Sequence, residues 1–292
     1  MLGSLELFAY FCTNIITYYH NLIRNDMKKT LLLMAMTAFA ATSFAQKKLV
    51  LYFSETNTTK QVAQALQKQL SLADKDVVAI ELVEPYTGNM QETMQRAQRE
   101  KQPALKPLKA KIADYDIIFL GYPIWSGTYA LPIASLLKQE DFSGKTIVPF
   151  CTFGSGGLES SAADLKKNLP KATIKPGYGV RQARVASAAK ELDRFLKENG
   201  FIAGKVKALP AYSAQQPVTD AEKAIFDAAC SNYQFPLGTP QTFGKRTTDD
   251  SIDYEFKVKS QGFGGFGGGE STIYVTMGKE AGAKPEFTRV VR

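Results

Sequence analysis

Histidine is almost missing from this chain: of its 292 residues, only His20 is one. His20 lies in a leader that is expected to be removed. Met27 to Gln46 reads MKKTLLLMAMTAFAATSFAQ, with lysines at its start, an apolar run from Leu31 to Ala40 and small residues ending in Ser43-Phe44-Ala45. That is the layout of a secretory signal peptide cut after Ala45, and the apolar run is too short for a stable membrane span. The alternative reading is an N-terminal anchor or a buried helix. Translation is expected to begin at Met27 rather than Met1, and the mature chain is expected to be periplasmic or secreted. A chain without histidine has no Ser-His-Asp or Cys-His catalysis and no histidine-ligated metal site.

Cysteine is scarce as well. Cys12 goes with the leader, which leaves Cys151 at the end of an apolar run and Cys230 on a helix. Two buried thiols are expected rather than a disulfide. Tryptophan occurs once, as Trp125. The formal charge of +8 is spread along the chain, as at Lys166-Lys167 and Lys205 to Lys207. No basic patch interleaved with aromatics is present, so nucleic-acid binding is not expected. The surplus reads as a solvated surface that favours anionic partners or membrane faces.

Short apolar runs alternate with helical patterns between Lys48 and Asn199. Strands are expected at Lys48 to Phe53, Val77 to Leu82, Tyr115 to Leu120, Thr146 to Cys151 and, briefly, Thr173 to Lys175. Helices are expected at Thr58 to Leu70, Asn89 to Lys101, Leu131 to Lys138, Ser160 to Asn168 and Ala188 to Lys197. The third run has almost no polar alternation, as expected where both faces of a strand are covered. Interleaved strands and helices imply a doubly wound α/β domain with a five-stranded parallel sheet, here placed at 46–202.

Composition changes after Gly200. Residues 203–218 hold prolines, serines and glutamines without periodicity and read as a linker. A capping box, Thr219-Asp-Ala-Glu222, then opens a helix. Ile252, Tyr254, Phe256 and Val258 alternate, as do Ile273, Val275 and Met277, which gives two antiparallel strands and a small α+β domain at 219–292. The stretch GFGGFGGGE, Gly262 to Glu270, spells G-x-G-x-x-G, but a strand follows where the dinucleotide fingerprint needs a helix. It reads as a mobile hairpin loop.

The densest polar feature is Ser54-Glu55-Thr56-Asn57-Thr58-Thr59, between the first strand and the first helix. Ligands of doubly wound sheets bind beyond the carboxyl ends of the strands. Hydroxyls, an amide and the free N–H groups of a helix start could together cradle a phosphate, with Lys60 adding long-range attraction. The plainer reading is an ordinary helix cap.

Here the residues carry a resemblance. Ser54-x-Thr56-x-x-Thr59 resembles the T-x-T-G-N-T phosphate loop of flavodoxins. LGYPIWSGTYALPI (Leu120 to Ile133) and VPFCTFGSGGLESSAADL (Val148 to Leu165) resemble the second and third flavin loops of the bacterial flavodoxin-like family with G-Y-P-I-W-W-G-T and F-C-T-S-G-G-S-G signatures. Tyr86-Thr87 and Pro103 to Pro107 fall where that family has a similar linker. The resemblance covers about 48–200. It implies FMN, with the phosphate on Ser54, Glu55, Thr56, Asn57, Thr58 and Thr59. The ring would lie against Pro123, Ile124, Trp125 and Ser126, and its pyrimidine edge on Thr152, Phe153, Gly154, Ser155 and Gly157. Phe153 or Tyr129 could cover another ring face. The sequence departs from the family at Asn57 (usually Gly), Thr58 (usually Asn), Ser126 (often a second Trp) and Phe153-Gly154-Ser155 (usually Ser-Gly-Gly). The function implied is electron transfer with a redox partner protein or a small-molecule acceptor. The rivals are an FMN-dependent reductase of quinones or similar acceptors, and a flavin-free interaction protein on the same fold.

Overall fold

The structure, a computed structural model, describes residues 46–100, 102–263 and 266–292. The expected signal segment and the residues ahead of it lie outside the described residues. No helix among the described residues is long and apolar enough to cross a membrane.

The first apolar run forms β1 (Lys48–Tyr52), and the polar stretch leads into α1 (Thr58–Leu70). β2 (Val77–Ala79), α2 (Met90–Arg99), β3 (Ile117–Trp125) and β4 (Thr128–Tyr129) follow. Next come α3 (Leu131–Gln139), β5 (Thr146–Phe153), α4 (Leu158–Asn168), β6 (Thr173–Ile174), β7 (Tyr178–Arg181) and α5 (Ala188–Glu198). The parallel strands are ordered β2-β1-β3-β5-β6, with β7 also pairing β5. The fifth position expected of the sheet is therefore shared by two short strands. Chain order reverses between β1 and β3, the place where doubly wound sheets bind ligands.

Helices cover both faces, which is why β1, β3 and β5 are largely apolar. Val62, Ala63 and Leu66 of α1 and Leu192 and Leu196 of α5 pack on one face against Val50, Phe119 and Phe150. Ile133 and Leu136 of α3 and Leu165 of α4 pack on the other against Leu49, Leu51, Ile118 and Leu120. Gly121 is imposed by this packing. A Cβ there would sit 2.0 Å from the Phe150 ring.

A second sheet, antiparallel, is ordered β12-β11-β10-β9-β8. It consists of β8 (Gln216–Pro217), β9 (Thr239–Thr247), β10 (Ser251–Phe263), β11 (Phe266–Gly278) and β12 (Glu286–Val291), with α6 (Asp220–Cys230) packed on it through Phe226. Phe243, Phe256, Ile273, Val275 and Phe287 fill its core. Both sheets belong to one compact unit, Lys47–Arg292.

Several expectations change here. The glycine-rich stretch is paired strand rather than loop, since Gly262 pairs Gly267 and Phe263 pairs Phe266. Glycine presents a full N–H and C=O to the ladder, so backbone pairing survives without side chains. Gly264 and Gly265 lie outside the described residues. The end of the expected linker joins the sheet, with Gln216 and Pro217 opposite Phe243 and Thr242. Thr219 and Glu222 hydrogen-bond each other through their side chains, so Thr219 sits at the N-cap position without a side-chain cap bond. Cys151 and Cys230 are both free, as expected, but only Cys151 is buried and Cys230 is half-buried.

Candidate functional site

The carboxyl ends of β1, β3 and β5 lie side by side, because Tyr52 pairs Gly121 and Pro123 pairs Thr152. The loops that follow these strands touch. Thr59 and Thr152 share a buried hydroxyl–hydroxyl hydrogen bond of 2.8 Å, which ties the start of α1 to the end of β5. A Cβ on Gly157 would meet Ile124 at 2.6 Å, and Ser160 Oγ donates to Gly127 O at 2.5 Å. The second and third loops are thus in contact as well.

In the first loop Asn57 is left-handed at φ 61 and ψ 0 and directly precedes α1. Asparagine occupies that region more readily than most residues, so the loop forms without the glycine usual there. The first N–H groups of a helix have no intrahelical partner. Here that of Lys60 bonds Ser54 Oγ at 3.2 Å, and Asn57 makes no side-chain cap bond. Thr56 and Asn57 are exposed, and Thr56 and Thr58 share a bond of 3.1 Å. Glu55 is turned aside, accepting from Gly88 N at 3.1 Å. The arrangement can hold an anion on backbone N–H groups and the outer hydroxyls. Thr59 is 1% exposed and engaged with Thr152, so its hydroxyl joins loops rather than facing outward.

The second loop is a two-residue hairpin between β3 and β4. Ser126 and Gly127 both have positive φ, 50° and 85°, as the tight turns that join twisted strands require. β3 continues to Trp125 instead of ending at Leu120, and this changes the expected role of the indole. Trp125 is 7% exposed and joins the core cluster beneath the loops. Its ring lies edge-on to Phe53 and Tyr86, with centroids 5.8 and 5.4 Å away. An open stacking face on Trp125 is therefore not what the structure offers. Aromatic rings favour such edge contacts, and two of them hold the indole in place. Ser126 is exposed in the position next to it.

Tyr86 entered the sequence reading only through the resemblance, yet it closes this aromatic group. Arg96 lies 4.9 Å from its ring centre. Burial pushes its phenol pKa up, and among the described residues its buried hydroxyl has no hydrogen-bond partner, nor does Thr93 Oγ1. The residues Tyr86 and Thr93 line a pocket of about 270 Å³ with Thr87, Glu92, Gln95, Arg96 and Arg99.

In the third loop Thr152 and Phe153 are buried, Gly154 is exposed, and Ser155 to Gly157 are half-buried. Gly157 caps α4 with φ 116. Tyr129 is buried and accepts from Asn168 Nδ2 at 2.9 Å. Phe153 and Tyr129 therefore pack against protein. No group of His, Cys, Asp or Glu able to hold a metal is present among the described residues. Two neighbours of the third loop escaped the sequence reading, Arg181 and Val290. Neither stands in a motif: Arg181 reaches the loop by donating from its guanidinium to Gly154 O, and Val290 by donating its backbone N–H to Ser155 O, contacts that residue types do not reveal.

A family model described as Flavodoxin matches residues 47–197. Among solved structures the chain resembles a Bacteroides eggerthii protein described as a flavoprotein, at 29% identity and TM-score 0.41, over 50% of this chain and 97% of that one. A Bacteroides uniformis protein described likewise is 26% identical with TM-score 0.44, over 50% and 97%. A Lactobacillus acidophilus flavoprotein solved in complex with FMN is 20% identical with TM-score 0.40, over 49% and 99%. None of the curated proteins compared with the chain matches it.

Proposed function

The chain belongs to the flavodoxin family, and on that premise we propose that it binds FMN non-covalently and transfers electrons in the periplasm or outside the cell. The observation that carries this reading is the meeting of the loops after β1, β3 and β5, fixed by the buried Thr59–Thr152 bond. The residues fit the phosphate end of FMN best: a left-handed Asn57, the N–H groups at the start of α1 and the exposed Thr56 favour a dianion. The loop from Thr152 to Gly157 supplies backbone groups of the kind that bind the pyrimidine edge of a flavin. Trp125, Phe53 and Tyr86 form an aromatic floor rather than an open stacking face. Relative to a site with a tryptophan at position 126, ring stacking is weaker by about 1 kcal/mol, and more of the affinity falls on the phosphate.

A bound flavin supplies the redox chemistry, accepting and giving up electrons. The chain's own residues bind, orient and exclude water. We place the second loop in the G-Y-P-I-W subgroup, and propose a flavodoxin-like domain at 46–202, a linker at 203–218 and a small α+β domain at 219–292. The partner we propose is a redox protein or a small-molecule acceptor, with no nucleic acid and no stable membrane span after processing. A second reading, reduction of a small quinone-like acceptor, is favoured by the pocket of about 270 Å³ that Tyr86, Thr93 and Arg96 line beside the aromatic group.

Calorimetric titration with FMN and with riboflavin tests the reading. Losing several charge-assisted hydrogen bonds at about 1.5–3 kcal/mol each predicts riboflavin binding at least 100-fold weaker. Equal affinity for the two would refute the phosphate cradle.

A further inference from the structure

β12 reaches beyond its own sheet to the third loop. Val290 N donates to Ser155 O at 2.7 Å, and Gly156 and Val290 form an isolated parallel bridge. The approach is so close that a Cβ on Gly156 would lie 2.2 Å from Val290 O. Only glycine permits it. From the parallel sheet, Arg181 at the end of β7 donates from Nε to Gly154 O at 2.7 Å and from Nη1 to Phe287 O at 3.0 Å. Its guanidinium lies 4.1 Å from the centre of the Phe287 ring and 5.5 Å from that of Tyr233. Among the described residues no carboxylate pairs with it, so aromatic faces and carbonyl oxygens hold this half-buried cation. Around this seam Arg184 pairs with Glu286 at 2.8 Å, Arg289 with Glu159 at 3.7 Å, and Lys190 with Asp250.

We infer that the antiparallel sheet braces the third loop, with Arg181 as the positioning residue, so that FMN binding and the seating of β12 are coupled. A loop containing Gly154, Gly156 and Gly157 has wide conformational freedom, and holding it in one shape costs entropy. Here that shape is imposed from outside by Val290 and Arg181. A ligand that needs the loop so shaped favours the seated strand, and by reciprocity the seated strand favours the ligand. This gives the region after residue 203 a role that the flavodoxin fold does not require of it. The ligand half of the inference rests on the flavin reading above, whereas the mechanical half stands apart from it.

Amide hydrogen exchange on the full chain without flavin tests the brace, comparing the wild type with Arg181→Met and Gly156→Ala. Arg181→Met removes the donors and keeps the apolar stem, and Gly156→Ala pushes Val290 away from the opposite side. In each variant, amides of 153–157 and 287–291 should exchange together at least about tenfold faster, as one cooperative unit, while those of α1 are unchanged. Faster exchange in β12 with an unaltered loop would overturn the brace. If Arg181→Met does not fold, Gly156→Ala alone decides. In a second arm FMN is added: it should slow exchange across β12 in the wild type, and each variant should bind it at least about fivefold more weakly. Equal FMN affinity in all three proteins would overturn the coupling. Failure of the wild type to bind FMN would instead overturn the flavin reading, with the brace still judged by the first arm.

Discussion

Thr59 and Thr152 stand 93 residues apart and share a buried hydrogen bond of 2.8 Å. Each hydroxyl is the other's partner in a dry setting, so removing one leaves the other unsatisfied. Thr59→Val should destabilise the protein by about 1–3 kcal/mol in urea unfolding, whereas Thr59→Val with Thr152→Val should recover most of that loss. Additive losses would show that the bond is not what joins the loops. The thiols give a second residue-scale expectation. Burial pushes the Cys151 thiol well above its ordinary range and the Cys230 thiol up to about 12. pH 8 lies below both, so the thiols stay protonated and neither should be alkylated by iodoacetamide in the folded protein within the time that denatured chain reacts fully. Rapid native labelling would contradict the burial of Cys151 and the raised pKa of the half-buried Cys230. The hydroxyl cluster from Ser54 to Thr59 was legible in the sequence as a loop at a strand end. What residue types could not show was which hydroxyls face outward, since Thr59 points at a partner from a distant strand. Trp125 was legible as a residue at the binding edge, but the direction of its ring depends on Phe53 and Tyr86, which only the fold brings to it.

β1, α1, β5 and α4 could be read from the sequence because each is an unbroken apolar or helical pattern bounded by polar residues. β3 could not be followed past Leu120, because Gly121 and Pro123 look like breakers. In the structure both are tolerated: the strand is paired on two sides, and Phe150 needs the space that Gly121 leaves. Gly121→Ala should therefore cost about 1–3 kcal/mol by overpacking, and Phe150→Leu in the same chain should relieve part of it. No change in the urea midpoint for Gly121→Ala would contradict this packing. β9, with the sequence TPQTFGKRT, escaped notice because it buries few side chains. The glycine strands of β10 and β11 escaped because backbone pairing leaves no side-chain periodicity to read.

For the molecule as a whole, fold class came from the rhythm of strands and helices, and the order β2-β1-β3-β5-β6 bears it out. The join between the two sheets had no signature, since its closest contacts run through the backbone of Ser155 and Gly156 and one half-buried arginine, and the ion pairs around them join residues far apart in sequence. Burying the sole tryptophan beneath the loops has a practical consequence: its emission reports on that site alone. The central claim is that the three strand-end loops form one FMN site, and titrating the purified protein with FMN tests it most directly, following Trp125 and flavin fluorescence together. The account predicts that both signals are quenched along one saturable curve with a 1:1 endpoint. If neither signal changes while the protein stays folded, the loops do not hold FMN and the claim fails.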